Sequence, residues 1–168
     1  MNKIESERLS IEEATTVDSE FILELVNTPN WLRYIGDRNI HTTQAAENYI
    51  QNALMKSYQE NSFGLYKLVS RDEGTSVGLC GLLQRDYLEF PDIGFAILPA
   101  FEGKGLVTEA AKCVLEDAAN RLNIKTVQAI TLPENYASQK VLEKVGLVLK
   151  EHIFRDGEKL LLYQSSLF

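Results

Sequence analysis

Residues Asp92 to Ala118 constrain this chain most. They read Asp-Ile-Gly-Phe-Ala-Ile-Leu-Pro, then Ala-Phe-Glu-Gly-Lys-Gly-Leu-Val-Thr-Glu, then Ala-Ala-Lys-Cys-Val-Leu-Glu-Asp-Ala-Ala. The first segment is an apolar strand that closes at Pro99, because proline has no N–H to donate to a ladder. The last is a helix. Val107, Ala110, Ala111, Val114, Leu115, Ala118 and Leu122 recur at three- and four-residue spacings and make one buried stripe. Between strand and helix, Gly103 and Gly105 permit a sharp turn and a close backbone approach to a ligand. The unpaired N–H groups of a helix's first turn, together with its dipole, form an anion site. Two common phosphate loops do not fit. A P-loop needs Ser or Thr after its final Gly-Lys, whereas Gly105 is followed by Leu106 and Val107. A dinucleotide fingerprint closes on a third glycine or alanine, where this chain has Thr108.

The remaining elements alternate around this unit. Glu7–Glu13 alternates polar and apolar and reads as a strand with Leu9 and Ile11 on one face. Asp18 can cap a helix carrying Phe21, Ile22, Leu25 and Val26, which Asn27-Thr28-Pro29-Asn30 breaks. Trp31–His41 reads as a loop of aromatics and charges. Thr43 reads as the cap of a second helix with Ala46, Tyr49, Ile50, Ala53 and Leu54 on its apolar face. Phe63–Ser70 and Val77–Leu83 read as paired strands, and Tyr87–Leu98 as the next. Val127–Leu132 is a further strand, Asn135–Val145 a helix closed by Gly146, and Leu147–Phe154 with Leu160–Ser166 a hairpin around Asp156-Gly157.

The 168 residues are expected to form one domain, 1–168, with a single sizeable core. No apolar run approaches the ~20 residues of a membrane span. The N-terminus has no apolar signal core, so a cytoplasmic location is expected. Cys80 and Cys113 lie in apolar segments without metal-ligand spacing and read as reduced structural thiols; no metal site is expected. His41 and His152 have no visible partner. A net charge of −7 argues against a general nucleic-acid surface and suits a cationic amine.

After Val127–Leu132 comes Pro133-Glu134-Asn135-Tyr136-Ala137-Ser138, then Glu143-Lys144-Val145-Gly146-Leu147. Together with Gly103-Lys104-Gly105 and Thr108-Glu109-Ala110, this closely resembles the GNAT superfamily of acyl-CoA-dependent N-acetyltransferases. The likeness is greatest to the branch that contains the ribosomal-protein N-terminal acetyltransferases, and is firmest from about Phe90 to Ile153. The resemblance implies an α+β, three-layer fold with a mixed, mostly antiparallel sheet of about seven strands flanked by about four helices. It implies acetyl-CoA as cosubstrate and direct acetyl transfer to a primary amine, either a small molecule or a protein N-terminus. The chain would act as a monomer or homodimer, without nucleic acid or membrane. A non-catalytic acyl-CoA-binding or interaction domain on the same scaffold is the alternative.

The resemblance also assigns residues. Gly103, Lys104, Gly105, Leu106, Val107 and Thr108 would take the pyrophosphate, with Lys104 adding charge. Ile97 and Leu98, on the strand Phe95–Leu98, would pair with the pantetheine amides or supply an N–H to the oxyanion. Asn135 is an ideal N-cap on physical grounds; in the family the matching Asn bonds the cofactor arm. The matching Ser lies near the cofactor's sulfur, so Ser138 would protonate the departing thiolate, with the phenol of Tyr136 as a rival donor. Asp92 stands where related sequences commonly carry Glu and would act as general base. Trp31, Arg33, Tyr34 and Asp37 would wall the acceptor pocket, since this family builds that site from its first helices. The chain departs from the family pattern at Glu102, where Gln or Arg is usual, at Val107, where Gly or Ala is usual, and at Leu147, where Phe is usual.

Overall fold

The computed structural model describes residues 3–166. Its strands are Ile4–Glu5 (β1), Leu9–Glu12 (β2), Leu65–Ser70 (β3), Ser76–Leu83 (β4), Asp92–Ile97 (β5), Thr126–Thr131 (β6), Val148–Arg155 (β7) and Glu158–Ser166 (β8). They form one sheet in the order β1-β2-β3-β4-β5-β6-β8-β7. Every pairing is antiparallel except β5 with β6. The eighth strand, beyond the seven expected, is the two-residue β1.

Helices cover both faces. Ser19–Val26 (α1), Pro29–Tyr34 (α2), Thr43–Tyr49 (α3) and Lys56–Asn61 (α4) lie on one side. There Ile22, Leu25, Trp31, Ala46, Ile50 and Leu54 pack against Leu65, Leu79 and Leu98. Leu106–Asn120 (α5) and Tyr136–Lys144 (α6) lie on the other. There Leu106, Ala110, Ala111, Val114, Leu115, Ala118 and Leu142 pack against Tyr66, Leu68, Cys80, Leu82 and Val127. Period-two alternation along the strands supplies both cores, which is why neighbours such as Leu79 and Cys80 go to opposite faces. Of the stripe read from the sequence, Ala110, Ala111, Val114, Leu115 and Ala118 are buried in α5; Leu106 is buried in place of Val107, which lines the cleft described below, and Leu122 lies beyond the helix's end.

Four local expectations need correction. Trp31–His41 is not wholly a loop: Pro29 opens α2, because proline's fixed φ and missing N–H suit a helix's first position. The cap of α3 is Thr42, whose Oγ1 accepts the Ala45 N–H at 3.1 Å, and Thr43 is already helical. A π-helical stretch, Ile50–Met55, joins α3 to α4 in one rod. Tyr87–Leu98 is a strand only over Asp92–Ile97; Gln84 to Pro91 precedes it as a loop, and Pro91 cannot donate to a ladder. Asp18 precedes α1, but its carboxylate accepts the Thr15 N–H at 2.8 Å and pairs with Lys67 at 2.8 Å. The Asp156-Gly157 hairpin is as expected, with both residues at positive φ, the backbone of a type I′ turn.

Both cysteines are free thiols, and burial pushes each above the ordinary range, which makes them poor nucleophiles. No helix among the described residues is long and apolar enough to cross a membrane.

Candidate active site

The parallel pairing of β5 with β6 exists at one register position, Asp92 opposite Gln128. Beyond it the two strands part, and a cleft of about 1420 Å³ opens between them. Backbone alternation decides what β5 presents there. Leu98 donates its N–H to the Val77 carbonyl on the β4 side at 2.8 Å, and the Pro91 carbonyl accepts the Gln128 N–H on the β6 side at 2.9 Å. Successive residues address opposite edges, so Phe95 and Ile97 turn their N–H and C=O groups toward the gap. Both line the cleft with Ala129, Ile130, Thr131 and Leu132 of the opposite wall. Leu98 does not: its carbonyl accepts the Phe101 N–H, and its side chain is buried beneath the helices.

The β5 wall runs on into the glycine turn. A short 3-10 turn, Pro99–Phe101, leads to Gly103 at φ 72 and Gly105 at φ 76, both left-handed values that a side chain would strain. The first bond inside α5 runs from the Glu109 N–H to the Gly105 carbonyl at 3.1 Å. The N–H groups of Leu106, Val107 and Thr108 therefore have no carbonyl behind them within the helix. All three residues line the cleft with Gly103 and Gly105. Lys104 does not line it; its ammonium lies over the Phe101 ring, 5.4 Å from the centroid. Glu102 does line it, and its carboxylate accepts an amide N–H of Asn30 at 2.7 Å, tying the turn to α2.

The opposite wall carries the start of α6. Asn135 caps this helix, its Oδ1 accepting the Ser138 N–H at 3.2 Å. Among the described residues, the Asn135 amide N–H groups and the Ser138 hydroxyl have no hydrogen-bond partner. Tyr136 is 69% exposed. Asn135, Tyr136 and Ser138 all line the cleft.

Asp92 sits where the two walls meet, 1% exposed. Arg85 reaches it with Nε at 3.0 and 3.2 Å from the two carboxylate oxygens. Burial pushes the Asp92 carboxyl up to about 6, against the opposing pull of Arg85. The contacts continue outward. The Arg155 guanidinium at the tip of β7 lies 3.9 Å from the centre of the ring of Tyr87, in the same loop as Arg85. The loop before β5 and the β7–β8 hairpin are thus joined at one rim of the cleft.

The α2 side carries Trp31, Arg33 and Tyr34, which line the cleft. Trp31 is 3% exposed, and its indole N–H has no acceptor among the described residues. Arg33 stacks on the Tyr34 ring, 4.9 Å from its centre. Tyr49, Ala53 and Ser57 extend this wall from the π-helical stretch and its flanks, and wide turns of this kind often reshape helices at functional sites. Asp37 lies away, its carboxylate accepting the Asn39 N–H at 2.8 Å and lying 4.0 Å from His41. Of the residues singled out from the sequence, the cleft gathers Trp31, Arg33, Tyr34, Asp92, Ile97, Gly103, Gly105, Leu106, Val107, Thr108, Asn135, Tyr136 and Ser138. It leaves out Asp37, Leu98 and Lys104. Sequence reading missed Arg85, Tyr87 and Arg155: Arg155 meets Tyr87 from 68 residues away, and Arg85 pairs with Asp92 across the loop between β4 and β5.

Residues 8–148 match the family model described as an acetyltransferase (GNAT) domain. The uncharacterized N-acetyltransferase YnaD of Bacillus subtilis (strain 168) is 26% identical over 144 residues, which span 86% of this chain and 81% of that protein. Among solved structures, the ribosomal-protein-S5-alanine acetyltransferase from Vibrio fischeri superimposes with a TM-score of 0.84 at 17% identity, covering 99% of this chain and 97% of that one. RimL, a ribosomal L7/L12 alpha-N-protein acetyltransferase in complex with coenzyme A, gives 0.84 at 16% identity, covering 98% of each chain. At these identities the two structures establish a shared fold.

Proposed function

Because the chain belongs to the GNAT family of acetyltransferases, we propose that it moves an acetyl group from acetyl-CoA to a primary amine by direct attack, with both substrates in one cleft. The observation that carries this reading is the one-sided opening of the sheet. The unpaired edge of β5 runs directly into a glycine turn whose helix N–H groups are also unpaired, and both line the same cleft. An extended amide-bearing arm and a pyrophosphate need those two features, in that order.

Acetyl-CoA supplies an activated thioester, and each wall has a task. The Phe95 and Ile97 backbones bind the arm as an added strand would, and an N–H from this edge supports the thioester oxygen as it gains charge. Gly103, Gly105 and the first turn of α5 hold the diphosphate. The free amide of Asn135 bonds the arm from the other side. Ser138 delivers a proton to the departing thiolate, with Tyr136 the competing donor. Asp92, ionised above about pH 6, accepts a proton from the amine. Trp31, Arg33 and Tyr34 shape the acceptor side, where the indole N–H remains to be satisfied. The acceptor is a small-molecule amine or a protein N-terminus, and the enzyme works in the cytoplasm as a monomer or homodimer.

CoA alone tests the cofactor half of this reading. A ligand bound only by the folded state at about 100 times its Kd adds ~2.7 kcal/mol of stability. For a domain of this size that is a rise in Tm of roughly 5–10 °C. No change in Tm at millimolar CoA would remove the reading.

A further inference from the structure

The turn between β1 and β2 reaches across to Glu109 of α5 through Ser6 and Arg8. The Arg8 N–H donates to Oε1 of Glu109 at 2.8 Å, and Arg8 Nε donates to Oε2 at 2.7 Å. The Ser6 hydroxyl donates to the same carboxylate at 2.6 Å. Arg8 Nη1 then donates to the backbone carbonyl of Lys104 at 2.8 Å. The Arg8 carbonyl is itself fixed, accepting the Arg71 N–H at 2.9 Å. Burial alone would raise the Glu109 carboxyl, but these donors outweigh it and hold the carboxyl below its ordinary range. Neither Arg8 nor Glu109 lines the cleft, whereas the turn they hold does.

We propose that Arg8 is a positioning residue that keeps the Gly103–Gly105 turn in its ligand-ready form from behind. This rests on the reading of that turn as the pyrophosphate site. The argument is one of peptide geometry. A trans peptide holds the carbonyl of Lys104 and the N–H of Gly105 in one plane, pointing in opposite directions from the C–N bond. With the carbonyl tied to Arg8, the Gly105 N–H is directed away from Arg8, toward the cleft that Gly105 lines. The turn needs such a tie because glycine on both sides of Lys104 leaves that peptide free to flip. The same guanidinium offsets the charge of Glu109, which would otherwise oppose an incoming anion at the first turn of α5. A guanidinium suits both tasks, since its fork addresses a carboxylate and a carbonyl at once, and a lysine in its place would reach one of them.

The test compares two probes on three proteins: CoA and pantetheine, titrated calorimetrically into the unaltered chain, Arg8→Gln and Arg8→Lys. Pantetheine keeps the amide arm and lacks the diphosphate. Arg8→Gln is expected to weaken CoA roughly tenfold, the scale of one well-placed hydrogen bond, and to leave pantetheine within about twofold. Arg8→Lys is expected to weaken CoA by several-fold with the same indifference to pantetheine. If CoA and pantetheine lose affinity in equal proportion, or if neither loses any, the proposal is overturned. Should Arg8→Gln not fold, Arg8→Lys decides by the same two criteria. Failure of the unaltered chain to bind CoA would overturn the cofactor reading and the positioning role of Arg8 with it. Equal CoA binding by all three would overturn the positioning role alone.

Discussion

Asp92→Asn is expected to lower kcat/KM by roughly 10²–10⁴-fold, the range over which a positioned acid or base accelerates proton transfer. The amide keeps the size of the carboxylate and can still accept from Arg85, so folding and CoA affinity should change little. The pH profile separates this from a loss of packing. Asp92 works ionised, and burial holds its carboxyl near 6. In the unaltered enzyme kcat/KM should therefore rise with pH through about 6, below the further rise expected as an α-amine acceptor deprotonates near ~8. Arg85→Gln removes the positive charge that favours the ionised form, so the carboxyl moves further up and the acidic limb shifts to higher pH. Asp92→Asn should abolish that limb. A profile unchanged in Asp92→Asn would assign the base to water or to another group.

The second large effect is at the start of α6. Ser138→Ala removes one hydroxyl and leaves the cap intact, because Asn135 bonds the backbone N–H of residue 138 and not its side chain. If the hydroxyl protonates the thiolate, kcat should fall by roughly 10²–10⁴-fold. CoA affinity should change far less, since that bond strengthens only as charge develops on sulfur. Tyr136→Phe keeps the ring and removes the rival donor. Full turnover in Ser138→Ala with loss in Tyr136→Phe would transfer the role to the phenol. Loss in neither would leave protonation to water. Stopped-flow measurement of thiol release under saturating acetyl-CoA distinguishes the three.

Much of the fold was legible because it depends on local patterns. The stripe from Ala110 to Ala118, the Asp156-Gly157 turn and the Asn135 cap each report themselves within a few residues. So did the glycine turn, whose two left-handed residues no other side chain occupies easily. What was not legible depends on long-range contact. Arg8 and Glu109 are 101 residues apart, and nothing near either names the other. Glu102 stands out in the sequence only as a departure from the usual Gln or Arg, and its partner Asn30 is 72 residues away. Asp92 is visible in the sequence as a lone acid, but its burial is set by the pairing of β5 with β4 on one side and β6 on the other, and its partner Arg85 comes from the loop between β4 and β5. Lys104 and Leu98 show the converse case, in which a motif does not fix where a group lies. Both sit inside matching motifs, yet one ammonium lies over a phenyl ring and one backbone is fully committed.

The most direct test of the account is acetyl transfer itself. Purified protein is incubated with acetyl-CoA and a panel of amines that includes N-terminal peptides, with thiol release and acetylated product measured together. The account predicts that thiol appears only when donor and acceptor are both present, in amounts equal to the acetylated amine, and that no acetyl group remains on the protein when the acceptor is withheld. Tight CoA binding without transfer to any amine would contradict it, and would leave an acyl-CoA-binding domain on an acetyltransferase scaffold.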